Sequence, residues 1–117
     1  MTQSTVNFIP GEINLKKVSI FDNSVKLFLK KPGLSKRLRI IPVLLLKNNG
    51  KTEYESLPGI VLENGVPQNY SKGIDLDKRE KTLLLEKEKE AKIKSITLFV
   101  INNEDTFEQI ITYFVTQ

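Results

Sequence analysis

The chain has 117 residues and a formal net charge of +4, from 18 Lys and Arg against 14 Asp and Glu. It contains no cysteine and no histidine, which excludes disulfides, thiol catalysis and every catalytic or metal-binding arrangement that needs a thiolate or an imidazole. The hydrophobic fraction of 39% is ordinary for a globular protein, so we expect one soluble domain over residues 1–117.

The N-terminal part predicts a short strand followed by a hairpin. Thr5–Ile9 is the short strand, and Pro10 with Gly11 ends it. Residues 12–30 are the hairpin, because its second half alternates apolar and polar residues. Its first half keeps a period of two only if a β-bulge is placed at Lys16-Lys17.

Two further strands, joined by a tight turn, are predicted next. Residues 38–47 are strongly apolar, but Pro42 lies among them and cannot donate a ladder hydrogen bond. This strand is therefore predicted to lie at a sheet edge or to carry a bulge at Pro42. Asn49-Gly50 allows the positive φ angles of a two-residue turn, which predicts antiparallel pairing with residues 51–55.

Residues 60–72 predict mostly irregular structure. Ile60–Leu62 is a very short strand, and Glu63-Asn64-Gly65 turns the chain again. Residues 66–72 are predicted to form a loop that carries Tyr70 at or near the surface.

The segment 77–91 is consistent with two structures. It is rich in helix formers, and Asp77 with Glu80 has the spacing of a capping box, so one helix here would make the fold α+β. However, the apolar residues are consecutive at 83–85, and nothing apolar follows until Ala91, so a helix would lack an apolar stripe. A strand over 81–85 with a charged connection over 86–90 fits the pattern better.

Residues 91–102 predict the central strand of a sheet, because they are rich in β-branched and aromatic residues and contain a continuous apolar run. Alternation places two sets of side chains on opposite faces, namely Ile96, Leu98 and Val100 against Ile93, Phe99 and Ile101. After a turn at 102–105, residues 107–115 predict a last, antiparallel strand. The predicted fold class is all-β, a small and mainly antiparallel β-sandwich.

Paired carboxylates are the only residues that suggest catalysis or metal binding. Asp75 and Asp77 would lie roughly 7 Å apart on one face of a strand, a spacing compatible with a glycosidase pair or a Ca²⁺ shell. The same residues suit a turn after Gly73 and a cap, and Glu104-Asp105 suits a turn. The glycines are scattered singly, without a phosphate-binding motif. We therefore expect no enzymatic activity, no catalytic residue, no metal and no cofactor.

Positive charge is concentrated in residues 1–50, which hold nine Lys and Arg against two Asp and Glu; the remainder holds nine against twelve. If the fold groups these residues, they form a basic surface that could contact an acidic partner or an anionic ligand. The candidate contacts are Lys26, Lys30, Lys31, Lys36, Arg37 and Arg39, with Pro42 at the predicted edge and Tyr70 in the predicted loop.

Several long apolar strands in a small domain suggest that another chain covers one sheet edge or face. The sequence therefore predicts a non-enzymatic binding or structural component of a larger protein complex, as a homo- or hetero-oligomer. The alternative is a binder of anionic ligands, either lipid head groups or nucleic acid, through the same basic group. Nucleic acid has the weaker support, because only Phe21 and Phe28 are aromatic among the basic strands.

The sequence gives little information on location. No apolar run reaches the roughly 18 residues of a membrane span. The first residues lack the basic and then apolar pattern of a signal peptide. We expect a soluble chain that is cytoplasmic at synthesis, with its final location unknown.

Overall fold

The computed structural model describes residues 2–7, 13–31, 37–86 and 91–115. These residues form eleven strands: β1 (Thr2–Asn7), β2 (Asn14–Ile20), β3 (Ser24–Lys30), β4 (Leu38–Asn48), β5 (Lys51–Ser56), β6 (Leu62–Glu63), β7 (Val66–Pro67), β8 (Ile74–Leu76), β9 (Glu80–Glu86), β10 (Lys92–Asn102) and β11 (Phe107–Phe114). The same ranges contain no helix that is long and apolar enough to cross a bilayer.

Two antiparallel sheets form a β-sandwich, which confirms the predicted fold class. The larger sheet has the order β1-β11-β10-β4-β5, with β8 paired to one end of β4, and the smaller sheet has the order β2-β3-β9. Apolar side chains from both sheets fill the space between them. This core includes Leu15, Val25, Leu27, Leu29, Leu83 and Leu85 from the smaller sheet and Leu38, Ile40, Leu44, Leu46, Ile96, Leu98, Val100 and Ile111 from the larger one.

The alternative of a helix over 77–91 is wrong, since Glu80–Glu86 is strand β9 and pairs with β3 along its whole length. Leu83 and Leu85 are buried in the core, whereas Leu84 between them is 60% exposed. This alternation is the strand period, and it explains how three consecutive leucines fit an element with one buried face. Residues 87–90 of the predicted charged connection lie outside the described residues.

The predicted hairpin over 12–30 is confirmed as β2 and β3, and the ladder register shifts between Leu15 and Lys17, where the bulge is predicted. At the N-terminus, β1 pairs antiparallel with β11. The predicted first strand, Thr5–Ile9, is shared only in part with β1. Its last two residues and the predicted Pro10-Gly11 turn lie outside the described residues.

Strand β10 is central, as predicted, and pairs with β4 on one side and β11 on the other. Its two faces differ from the prediction at Ile93. The register shifts between Ile93 and Ser95, and this irregularity returns Ile93 to the face that carries Ile96 and Leu98. A simple period of two cannot anticipate this, because a bulge inverts the alternation beyond it.

Residues 60–70 cover part of the opposite face of the larger sheet. The side chains of Ile41, Val43, Phe99 and Ile101 form a second apolar cluster on that face. Tyr70 packs there with its ring centroid 5.1 Å from that of Phe107. The short strand predicted at 60–62 is displaced to Leu62–Glu63, and residues 66–72, predicted to be irregular, include β7.

Two tight turns need positive φ angles. Asn49 and Gly50 join β4 to β5 with φ of 51° and 80°, which confirms the predicted hairpin, and Asn64 and Gly65 join β6 to β7 with the same values. Glycine adopts these angles without the steric cost that a Cβ adds.

We expect Gly50→Ala to lower the free energy of unfolding by about 1 kcal/mol, since only the backbone conformation opposes the methyl group. No atom lies within 4 Å of the Cβ position at Gly50, whereas a Cβ at Gly65 would lie 2.5 Å from Cε1 of the Tyr54 ring. Gly65→Ala should therefore cost more than Gly50→Ala in a urea titration. Equal stability of both variants and the parent protein would contradict the turn assignment.

Candidate functional site

The predicted basic group is divided between the two sheets. Lys26 and Lys30 are exposed on β3, and the strand period places both on the outer face of the smaller sheet. Arg37 is exposed just before β4, and Arg39 lies on β4 in the larger sheet. Lys36 lies outside the described residues. Lys26 and Lys30 therefore lie on a different sheet from Arg39.

Lys31 is a buried residue, which corrects its prediction as a surface contact. It is 1% exposed, and its Nζ donates a hydrogen bond to the carbonyl oxygen of Leu76 at 3.3 Å. Its backbone N–H also donates to the carbonyl of Arg79 at 2.7 Å. Lys31 therefore ties the end of β3 to the segment that joins β8 and β9, and it cannot meet a partner without leaving these contacts.

Arg39 donates a hydrogen bond from Nη2 to Oδ1 of Asp105 and forms an ion pair with it. Asp105 belongs to the turn between β10 and β11, where the side-chain oxygen of Asn102 accepts hydrogen bonds from the backbone N–H groups of Glu104 and Thr106. The prediction that Glu104 and Asp105 shape a turn is confirmed. Part of the positive charge of Arg39 is already neutralised.

For Asp75 and Asp77 the sequence leaves two placements open, one face of a strand or a turn followed by a cap, and for Asp75 the turn is wrong. Asp75 does not lie in a turn, since it is in β8 and pairs with Arg39 across the β4 ladder. Asp77 follows β8 and is exposed. In the described ranges, no three potential ligand side chains are grouped so that they could hold a metal ion.

Pro42 does not lie on an edge strand, and the ladder between β4 and β10 shows no register shift beside it. The predicted edge position or bulge at Pro42 is therefore wrong. The reason is the arrangement of strands on the side of β4 that faces away from β10. There, β8 pairs with residues 38–40 and β5 with residues 43–48, so Pro42 lies between the two. Its carbonyl accepts a hydrogen bond from Ser56 Oγ at 2.6 Å. In an antiparallel ladder the N–H and C=O of a residue point to the same side, so the missing N–H removes no bond to β10.

The edges of the two sheets differ in how they are protected against pairing with another chain. Strand β2 carries a bulge and the exposed pair Lys16-Lys17, and both features disfavour strand addition. On β5, Glu55 and Glu53 lie opposite Leu44 and Leu46, so these charges share the face that looks toward the smaller sheet. Inward-pointing charges on an edge strand also disfavour addition.

Strand β9 lacks such protection in its centre. The four residues from Thr82 to Leu85 carry no charge, and Leu84 is 60% exposed. In the described part of the chain, β9 pairs only with β3, so the other side of its backbone has no partner strand. Among the edge strands whose side chains are described, β9 is the one best suited to accept a further strand.

A cleft of about 320 Å³, lined by both apolar and polar side chains, adjoins this edge. Leu84 and Leu85 of β9 line one side, and the other side is formed by β4 and by the end of β5 with the residues that follow it. That second side comprises Pro42, Leu44, Ser56, Leu57 and Pro58, and the carboxylate-bearing Glu55 and Glu86 complete the lining. We call this feature the β9 cleft.

The outer face of the smaller sheet carries a second feature, a depression of about 400 Å³. Its lining combines two lysines, two aromatic rings and two hydroxyl groups, from Lys17, Ser19, Phe21, Lys26, Phe28 and Thr82. We call it the outer-face depression. It brings Lys26 together with the two aromatic residues that the nucleic-acid hypothesis requires.

The candidate sites are therefore the β9 edge with its cleft and the outer-face depression, and sequence reasoning missed the first of them. The signal for Leu84 was present, since three consecutive leucines in a half-buried strand must place one side chain outward. The chain matches no protein-family model, no curated protein and no solved structure.

Proposed function

We propose that this protein is a non-enzymatic binding or structural component of a larger protein complex, and that a partner pairs with the edge of β9. The observation that carries the proposal is the uncharged segment Thr82–Leu85, which in the described part of the chain pairs only with β3 and lies beside a cleft. An exposed edge of this kind is a template for strand addition, in which main-chain hydrogen bonds provide affinity and side-chain pockets provide specificity.

The absence of catalysis is part of the same proposal. It is supported by a sequence without histidine or cysteine and by the position of Asp105, whose carboxylate pairs with Arg39. Asp75 and Asp77 are both exposed rather than held in a cleft. These positions favour structural roles for the carboxylates over general acid–base chemistry, which needs acids in tuned environments.

We expect Leu84→Lys to abolish partner binding, because a charge in the centre of an edge strand opposes strand addition. The side chain is already 60% exposed, so the substitution should leave the fold intact. Val61→Lys is the matched control, since Val61 is 59% exposed and lies in the segment that covers the opposite face. Affinity capture from the native source should retain a partner with the parent protein and with Val61→Lys.

With Leu84→Lys, retention of that partner should fall at least about tenfold, the effect of roughly 1.4 kcal/mol. Circular dichroism of both variants serves as the folding control. If Leu84→Lys retains every partner that Val61→Lys retains, β9 is not the contact and the proposal fails.

A second candidate function, the binding of an anionic ligand, is favoured by the outer-face depression. Lys17 and Lys26 could contact phosphate groups there, and Phe21, which is 54% exposed, offers a ring for stacking. The candidate is weakened by the acidic residues Glu80 and Glu86 on the same face of β9.

Binding of an anionic ligand predicts a specific dependence of affinity on salt concentration. If two or three lysines contact phosphates, affinity for a single-stranded oligonucleotide should fall about 7- to 18-fold between about 50 and 200 mM salt. The double variant Lys17→Ala/Lys26→Ala should lose binding, and Lys47→Ala/Lys51→Ala, which removes the same charge from the β4–β5 hairpin, should not. Vesicles of anionic lipid are the parallel probe for head groups. Equal loss in both double variants would indicate non-specific attraction and exclude the depression as a site.

A further inference from the structure

The β9 cleft occupies the position that a fourth strand of the smaller sheet would take. The larger sheet extends through β4 to β5, whereas the described part of the smaller sheet ends at β9. The cleft is bounded by β9 on one side and by residues of β4 and β5 on the other. A strand added to β9 would therefore lie over β5, with every second side chain directed into the cleft.

One register in which the edge could pair with a second copy of itself is disfavoured by charge. In the symmetric antiparallel arrangement centred on Leu83, the Glu80 of each copy lies opposite the Glu86 of the other. Like charges directly opposite each other destabilise a ladder, and this register places such a pair at each end of the two strands. A different chain is not bound by this constraint and can place positive charge at the same positions.

The lining of the cleft defines the side chains that a partner needs. The apolar wall formed by Leu44, Leu57 and Leu85 suits aliphatic side chains on alternate residues. Glu86 at the lining supplies negative charge, which a Lys or Arg would complement.

We infer that the β9 edge receives an extended segment of a different protein, with aliphatic side chains on alternate residues and a Lys or Arg at the end that meets Glu86. The inference rests on the proposed function and adds the chemistry of the partner. The added strand fills the cleft between β9 and the end of β5.

Two labelled peptides of about nine residues, the length of a strand that spans β9, test this chemistry. Both alternate Val and Thr, one with Lys at each end and the other with Glu. Fluorescence anisotropy with the full chain should show that the Lys-ended peptide binds at least about tenfold more tightly. Glu86→Lys should abolish this preference, and Glu63→Lys, which makes the same charge change at an exposed site on β6, should keep it.

The outcomes separate the inference from the proposed function. Equal affinity of both peptides, lost in Leu84→Lys, would overturn the partner's charge and leave strand addition at β9 intact. Failure of both peptides to bind would overturn the inference, while the capture experiment with Leu84→Lys decides the proposed function independently. A dimer detected by light scattering and dissociated by Leu84→Lys would overturn the requirement for a different protein.

Discussion

Replacement of Leu98 by Ala is expected to lower the free energy of unfolding by about 3–4 kcal/mol. Leu98 is fully buried in β10, where it lies between Pro42 of β4 and Ile111 of β11 and faces the smaller sheet. The substitution removes buried methyl groups and leaves a cavity that the surrounding ladder on both sides cannot collapse to fill. The loss is a large fraction of the stability of a typical domain.

Urea titration with an unchanged m-value is the measurement, and Leu84→Ala is the matched control. Leu84 is 60% exposed, so the same chemical change should cost less than about 0.5 kcal/mol. Similar losses for both variants would contradict the assignment of Leu98 to the interior and Leu84 to the surface.

Gln109→Ala is expected to cost about 2–4 kcal/mol, because it leaves two buried backbone groups without partners. The Gln109 side chain accepts a hydrogen bond from the Ile13 N–H at 3.2 Å and donates one to the Ile13 carbonyl at 3.1 Å. Gln109 is 4% exposed and Ile13 is 3% exposed, so water cannot readily replace the amide. These two bonds join the residue before β2 to β11 and therefore connect the two sheets.

The control for this prediction is Gln68→Ala. Gln68 is exposed, and its side chain bonds only locally, to the carbonyl of Val66 at 3.0 Å, so its loss should change stability by less than about 0.5 kcal/mol. In Gln109→Ala, the Ile13 amide should also exchange its hydrogen faster with solvent. An unchanged urea midpoint would show that the bridge does not contribute to the stability of the sandwich.

Features set by neighbouring residues could be predicted from the sequence. The Asn49-Gly50 turn follows from the φ angles that these two residues tolerate, and the bulge near Lys16 follows from a single break in the apolar alternation. The consecutive apolar residues at 83–85 favour a strand over a helix, because they cannot form an apolar stripe, and the buried Leu83 and Leu85 confirm the strand.

Features that depend on distant parts of the chain could not be predicted. Pro42 tolerates an interior strand only because β5 and β8 leave a gap beside it, and neither the gap nor β8 has a local signature. Lys31 is buried because the carbonyl of Leu76, 45 residues away, accepts its hydrogen bond. Gln109 bonds to a residue 96 positions away, so nothing in its own segment marks it.

The candidate site also combines a feature that neighbouring residues determine with one that depends on distant parts of the chain. Alternation within β9 determines that Leu84 points outward, and this is readable from three consecutive leucines. Which strand forms the edge of the smaller sheet depends on sheet order, which a pattern of apolar residues does not specify. The basic group is divided for that reason, since β3 and β4 lie in different sheets.

Amide hydrogen exchange along β9 tests the central claim most directly, because exchange reports which backbone groups lack a hydrogen-bonded partner. In the free protein, the N–H groups of Glu80–Glu86 that point away from β3 should exchange rapidly. Addition of the Lys-ended peptide should slow them, and the Leu84→Lys variant should show no slowing. Strong protection of all β9 amides in the free protein would contradict the account, because the edge would then already be occupied.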